Sequence, residues 1–139
     1  MKKLIFILLL TTGLSNFTYA QDNKMNDNSN KVAIIWSSQD PEVAEKVCFM
    51  YALNAKKQGW FDEVVLIVWG PSAKLLAEDE ELQAEIHKMM EAEVVVEACI
   101  ACAKLYGVDQ VLTDLEIDVR PMGVPLTTYL KEGWHTLNF

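Results

Sequence analysis

The hydrophobic positions of this chain form short runs, separated by longer segments in which apolar residues recur at helical spacing. Three runs are almost entirely apolar and rich in β-branched residues: Lys31–Trp36, Glu63–Trp69 and Val94–Ala98. An apolar run without polar alternation is typical of a strand covered on both faces, as strands of parallel sheets are. The pattern therefore predicts three buried parallel strands.

Two further strands are predicted at Ile117–Met122, where Asp118 and Arg120 face one way, and at His135–Phe139. Helices are predicted between the strands at Pro41–Gln58, Ser72–Met90 with a break near Glu78–Glu80, Cys99–Tyr106, Asp109–Leu115 with Asp109 as its cap, and between Gly123 and Gly133. Strands alternating with helices predict an α/β fold: a mainly parallel five-stranded sheet with helices on both faces.

The first helix has clear boundaries in the sequence. Asp40 is a favourable N-cap, Pro41 suits the first turn, and Gly59 ends the segment. Two sets of positions recur at helical spacing: Val43, Val47, Met50 or Tyr51, and Asn54 in the first helix, and Leu82, Ile86 and Met89 or Met90 in the second.

The first twenty residues have the pattern of a secretory signal peptide. Lys2 and Lys3 are followed by the apolar run Leu4–Leu10, and Thr18 and Ala20 suit a cleavage site before residue 21. The alternative is an uncleaved anchor, but the run is short for a bilayer. We therefore expect a periplasmic or secreted protein.

The remaining chain divides into a leader and one domain. Residues 21–30 are polar and rich in Asn and Asp, which predicts a flexible leader. Residues 31–139 have the size of a single domain, and no further apolar run is long enough to cross a membrane. Removing residues 1–20 takes away two lysines and no acid, so the charge changes from −8 to −10. This acidity disfavours a nucleic-acid partner.

Cys99 and Cys102 are the candidate catalytic residues. Ligands of parallel α/β sheets bind beyond the carboxyl ends of the strands, and Cys99 lies there, at the start of a helix that favours a thiolate. Cys102 follows one helical turn later and could act as a resolving thiol. Three other interpretations stay open: a static disulfide, simple core packing, or a metal site with only two ligands from this motif.

The other candidate residues have structural explanations. Cys48 lies at helical spacing with Ala44, Ala52 and Ala55, which indicates core packing. Trp36 and Trp69 lie at strand ends, where tryptophans usually pack. His87 and His135 have no clear partners in the sequence. The chain contains no Gly-rich phosphate loop, no Gly-x-Ser-x-Gly elbow and no His-Glu-x-x-His motif.

Several segments together resemble the DsrE/DsrF-like sulfur-relay proteins. The sharpest is Cys99–Val108, a Cys after a valine-rich strand, then a helical segment and Gly-Val; Pro121–Gly123 and Leu130–Trp134 also fit. The resemblance covers about residues 31–139. It implies a three-layer α/β/α fold, trimers or hexamers, a persulfide carried on Cys99, and no organic cofactor.

The signal peptide and Cys102 distinguish this chain from the relay proteins of the cytoplasm. We therefore expect persulfide transfer or thiol redox chemistry in the cell envelope, with a sulfur donor or acceptor protein or a small thiol as partner. The alternative is a non-catalytic oligomeric binding or scaffold protein in which the cysteine pair is structural.

Overall fold

The computed structural model describes residues 28–139, so the predicted signal peptide and residues 21–27 of the leader lie outside the described residues. Five strands form one parallel sheet in the order β4-β3-β2-β1-β5. Their bounds are β1 Lys31–Trp36, β2 Glu63–Val68, β3 Val95–Cys99, β4 Asp118–Arg120 and β5 His135–Asn138. The predicted α/β fold with a parallel five-stranded sheet is confirmed.

Helices connect consecutive strands. They are α1, which runs through Pro41–Val43, a π-helical stretch Ala44–Phe49 and Met50–Lys57, then α2 Pro71–Glu78, α3 Glu80–Glu91, α4 Ile100–Tyr106, α5 Asp109–Asp114 and α6 Gly123–Lys131. The predicted break between α2 and α3 falls at Asp79, which caps α3 by accepting from the backbone N–H groups of Glu81 and Leu82. Asp109 differs from expectation: it is the first residue of α5, and Val108 occupies the cap position without a side-chain hydrogen bond.

One of the two sets of α1 positions at helical spacing is buried and the other is exposed. Asp40 caps the helix as predicted, accepting from the N–H groups of Glu42 and Val43. However, Val47 and Met50 are 45% and 52% exposed. The buried face consists instead of Ala44, Cys48, Phe49, Ala52 and Ala55. Four of these, Ala44, Cys48, Ala52 and Ala55, are the set whose spacing predicted core packing, and that prediction is confirmed.

The two faces of the sheet are covered unequally. One face packs against apolar residues of α1 to α5, and its strand residues include Val32, Ile34, Val64, Leu66 and Ala98. The other face carries a smaller cluster, named here the α6-side cluster, because α6 packs on it through Leu126 and Tyr129. Its buried members are Ala33, Val65, Ile67, Cys99, Met122 and Trp134.

Residues before β1 also contact the domain. Asn28–Asn30 form a 3₁₀ turn, in which buried Asn28 donates through Nδ2 to the carbonyl of Glu132 at 2.9 Å. The domain therefore extends three residues into the predicted leader. None of the helices in residues 28–139 has the length and apolar character needed to cross a bilayer.

Candidate active site

Cys99 is the last residue of β3 and the N-cap residue of α4. Its side chain makes no capping hydrogen bond and is only 5% exposed. It packs in the α6-side cluster, whose partly buried members include Trp69 and Cys102. The predicted position at a strand's carboxyl end is therefore correct, and the thiol lies just below the surface.

Cys102 lies beside Cys99 and is half-buried. Burial raises the pKa of the Cys102 thiol, and a hydrogen bond with Cys99 raises it further. The backbone N–H groups of Gly70 and of Cys102 itself donate to this sulfur and act in the opposite direction. Both cysteines are free thiols. The site thus holds two neighbouring free thiols.

The turn after β2 brings the Gly70 N–H group to the thiols. Gly70 has φ 69° and ψ −132°, a conformation that only glycine adopts readily. Ser72 anchors this turn, because its hydroxyl donates to the carbonyl of Trp36 and accepts from the N–H of Trp69. The ends of β1, β2 and β3 therefore meet at the cysteine pair.

A buried acid lies on the same strand and face as Cys99. Glu97 is 2% exposed, and its Oε1 accepts from Arg120 Nη2 and from the Tyr129 hydroxyl, the latter at 2.9 Å. Its other oxygen, Oε2, is sealed from solvent and has no hydrogen-bond partner within residues 28–139. Such a carboxylate is costly unless charge and hydrogen bonds compensate for it, which Arg120 and Tyr129 do in part.

Register places this acidic cluster next to the thiols. Cys99 pairs with Arg120 across β3 and β4, and Glu97 pairs with Asp118. Arg120 Nε also lies 3.1 Å from an oxygen of Asp118. Burial, followed by the bond to Glu97, raises the pKa of Tyr129 to about 12, so its hydroxyl remains a donor at neutral pH.

The sequence analysis missed Glu97. The available signal was a glutamate within a valine-rich strand, because acids rarely lie in a strand buried on both faces unless they are paired. Its partners lie 23 and 32 residues further along the chain, at Arg120 and Tyr129.

The remaining candidates lie away from the thiols. Cys48 is fully buried, and burial raises its pKa to about 12, in agreement with the predicted packing role. Trp36 is buried edge-on against Phe49, with ring centroids 4.9 Å apart. His87 and His135 are exposed. Residues 28–139 contain no group of three or more His, Cys, Asp or Glu side chains able to hold a metal ion.

A surface groove of about 300 Å³ lies far from this chemistry, between α1 and the start of α3. Its lining includes Glu45, Glu81, Glu85 and Lys88 and neither cysteine of the pair. Solvent-accessible grooves are common between helices, and this one has no nucleophile. The candidate site remains the strand ends at Cys99.

These features define an all-parallel α/β domain with a free thiol pair at the carboxyl edge of its sheet. Residues 30–139 match the DsrE/DsrF-like family, and the chain belongs to that family. Its fold is similar to a conserved protein of unknown function from Bacteroides thetaiotaomicron, with 40% identity and a TM-score of 0.76. The match covers 79% of this chain and 95% of that one. The comparison with curated proteins gives no match.

Proposed function

We propose that Cys99 is the reactive thiol of a sulfur-transfer or thiol-redox site, and that Cys102 is its resolving thiol. One observation carries this proposal: two free thiols, one buried and one half-buried, lie in the same cluster at the carboxyl end of β3. Membership of a sulfur-relay-type family supports it. The N-terminal sequence pattern supports a location in the cell envelope, with the exported chain beginning at Gln21.

The chemistry needs a sulfane-sulfur donor, such as inorganic polysulfide. The Cys99 thiolate attacks a sulfane sulfur, the S–S bond of the donor breaks, and the shortened polysulfide leaves with the electron pair. Cys99 then carries a persulfide. Attack by the Cys102 thiolate on the inner sulfur releases hydrosulfide and joins the two cysteines in a disulfide.

Mass spectrometry tests this assignment. After reduction and treatment with polysulfide, the peptide containing Cys99 should gain the mass of one sulfur atom in a Cys102→Ser variant. In the unmodified chain, the pair should instead become a disulfide and release hydrosulfide. Cys48→Ala is the matched control and should leave both results unchanged, because Cys48 is fully buried. A persulfide found only on Cys102, or on neither cysteine, would contradict the proposal.

The low exposure of Cys99 favours a second candidate, a non-catalytic binding or scaffold protein. Its 5% exposure is typical of a packed cysteine. In that case Cys99 should react with iodoacetamide as slowly as Cys48 in the folded protein. Cys99→Ser would then lower the stability without changing any cellular phenotype at matched expression.

A further inference from the structure

Glu97 is a buried acid on this face that the thiol chemistry leaves unused. It lies in the interior of β3, where its register partner on β2 is Ile67. A charged side chain that is 2% exposed destabilises a fold unless it is paired or serves a ligand. The pairing present in the structure satisfies one of the two oxygens of the Glu97 carboxylate.

The two carboxylate oxygens of Glu97 have different surroundings. Oε1 accepts from both Arg120 and Tyr129, whereas Oε2 has no partner within residues 28–139 and is closed to solvent. Buried polar atoms in native proteins almost always have a partner. An acceptor left free beside a nucleophile is therefore a place for a donor group of a ligand.

The charges around Oε2 favour a cationic donor. Glu97 and Asp118 contribute two negative charges, and Arg120 contributes one positive charge. Tyr129 donates its hydroxyl to Glu97 and remains neutral. The cluster is therefore negative by one unit, which attracts an ammonium group and repels a carboxylate.

The Glu97 carboxylate lies within reach of a small molecule bound at the Cys99 thiol. Glu97 and Cys99 are two residues apart on one strand, so their side chains share a face and their Cα atoms are about 7 Å apart. Two or three bonds separate the sulfur from the nitrogen-bearing carbon in a small amino thiol. A molecule of this size can place its nitrogen near Glu97 while its sulfur meets Cys99.

We propose that Glu97 binds the ammonium group of a low-molecular-weight amino-thiol compound whose sulfur reacts at Cys99. This inference rests on the proposed function of Cys99 and adds the substrate class. Arg120 and Asp118 are the members of the cluster open to solvent, with side chains 40% and 55% exposed, so the ligand would enter from their side. A small molecule suits the site because both Glu97 and Cys99 are almost fully buried.

The sulfur-transfer step is balanced for a persulfide of this class, R–S–SH. The Cys99 thiolate attacks the outer sulfur, the S–S bond breaks, and R–S⁻ leaves with the electron pair. Cys99 becomes a persulfide, and the amino thiol is released after taking up a proton. An amino-thiol disulfide reacts in the same way to give a mixed disulfide with Cys99, which provides a stable probe.

Three small disulfides of matched size test the inference: cystamine, which carries ammonium groups, neutral 2-hydroxyethyl disulfide, and anionic dithiodipropionate. The rate of mixed-disulfide formation at Cys99 is measured in a Cys102→Ser background, with glutathione as the reference thiol. The quantity compared is the rate with cystamine divided by the rate with the neutral disulfide. We expect this ratio to be about tenfold larger at Cys99 than at glutathione. Dithiodipropionate should be the slowest.

Variants separate a specific contact from the general acidity of the protein. Glu97→Gln should reduce the preference of Cys99 for cystamine to the preference that glutathione shows. Asp118→Asn leaves the buried oxygen of Glu97 in place and should reduce this preference only in part. Glu63→Gln removes an acid at the opposite end of the same sheet face and should leave the preference unchanged.

The outcomes distinguish the two proposals. If Cys99 reacts with all three disulfides in the proportions of glutathione, or if Glu63→Gln and Glu97→Gln have equal effects, the amino-thiol inference is wrong and the reactive cysteine stands. If Cys99 reacts with none of the three disulfides while the reference thiol glutathione does, the proposed function itself fails.

Discussion

Tyr129 stabilises the buried carboxylate of Glu97. Its hydroxyl donates to Oε1 at 2.9 Å, and its ring stacks on Trp134 with centroids 4.5 Å apart. A hydrogen bond to a buried charge contributes more than a neutral bond, because water cannot replace it. Removal of this one oxygen should therefore be measurable without disturbing the ring packing.

We predict that Tyr129→Phe lowers the free energy of unfolding by about 1.5 kcal/mol, because Glu97 loses one of two donors. Urea denaturation followed by circular dichroism measures the change. The matched control is Tyr106→Phe on α4, which is 42% exposed and should change stability by less than about 0.5 kcal/mol. Equal effects of the two substitutions would show that the Glu97 contact contributes nothing.

The same tyrosine gives the protein a dependence on alkaline pH. Its pKa is raised from 10.0 to about 12 in the folded state, so the neutral form is favoured by folding. The resulting stabilisation is complete below pH 10 and is lost as the pH rises from 10 toward 12. Tyr129→Phe should therefore lose less stability than the unmodified protein over this interval in urea titrations. A parallel loss in both proteins would contradict this assignment.

Sequence reasoning found the residues whose neighbours are local and missed those whose neighbours are distant. Cys99 and Cys102 are three positions apart in a helix start, so their proximity follows from helical geometry. Glu97 acquires its partners from β4 and α6 only after the chain has folded. One sequence without pairing information contains no signal that joins these residues.

The turn between β2 and α2 is the element that connects the backbone to the thiol pair. Gly70 adopts a positive φ of 69°, and a Cβ added there would meet no atom within 4 Å. The glycine is therefore required by backbone conformation and not by space. Its N–H group donates to the Cys102 sulfur.

We predict that Gly70→Ala lowers stability by roughly 1–3 kcal/mol and raises the pKa of Cys102 further. The alanine disfavours the conformation that directs the N–H toward the sulfur, so the thiolate loses a donor. The rate of iodoacetamide alkylation at Cys102 as a function of pH, resolved by peptide mass spectrometry, measures the second effect.

Gly107→Ala is the control for this turn. Gly107 also has a positive φ, 68°, and open space around its Cα, but it ends α4 away from the two sulfurs. The Gly107→Ala variant should lose stability without changing the pH at which Cys102 becomes reactive. If both variants shift the Cys102 profile equally, the Gly70 N–H group has no specific role.

At the scale of elements, the sequence predicted strands and helix ends well and one helix interior in part. Strand β1 has the predicted bounds because its apolar run ends at polar residues on both sides. Asp40, Gly59 and Gly107 mark helix ends through local chemistry that does not depend on packing. In α1, the set around Cys48 is buried as predicted, whereas Val47 and Met50 of the other set at helical spacing are 45% and 52% exposed.

Residues 28–139 leave part of one sheet face uncovered. Val95 on β3 is 51% exposed, and by register it lies on the α6 side, beside Val65. Thr136 and Asn138 of β5 are exposed on that same face. Central parallel strands are normally covered on both faces, so this surface is suited to contact with another copy of the chain.

We predict that the purified protein sediments as a homo-oligomer, a trimer or hexamer, and that Val95→Lys shifts it toward the monomer by burying a charge in the contact. Analytical ultracentrifugation measures both masses. Val124→Lys on α6, where the side chain is already 77% exposed, is the control and should preserve the oligomer. A monomeric unmodified protein would refute this prediction.

The position of β5 has a consequence for the order of folding. β1 pairs with β2 on one side and with β5 on the other, and the Ser37 hydroxyl donates to the carbonyl of Phe139, 102 residues away. Closing so long a loop slows folding, and one edge of β1 keeps its backbone groups unpaired until the last strand has been synthesised. A chain interrupted before His135 would therefore expose a strand edge that favours aggregation, and the sheet is complete only once β5 has been synthesised.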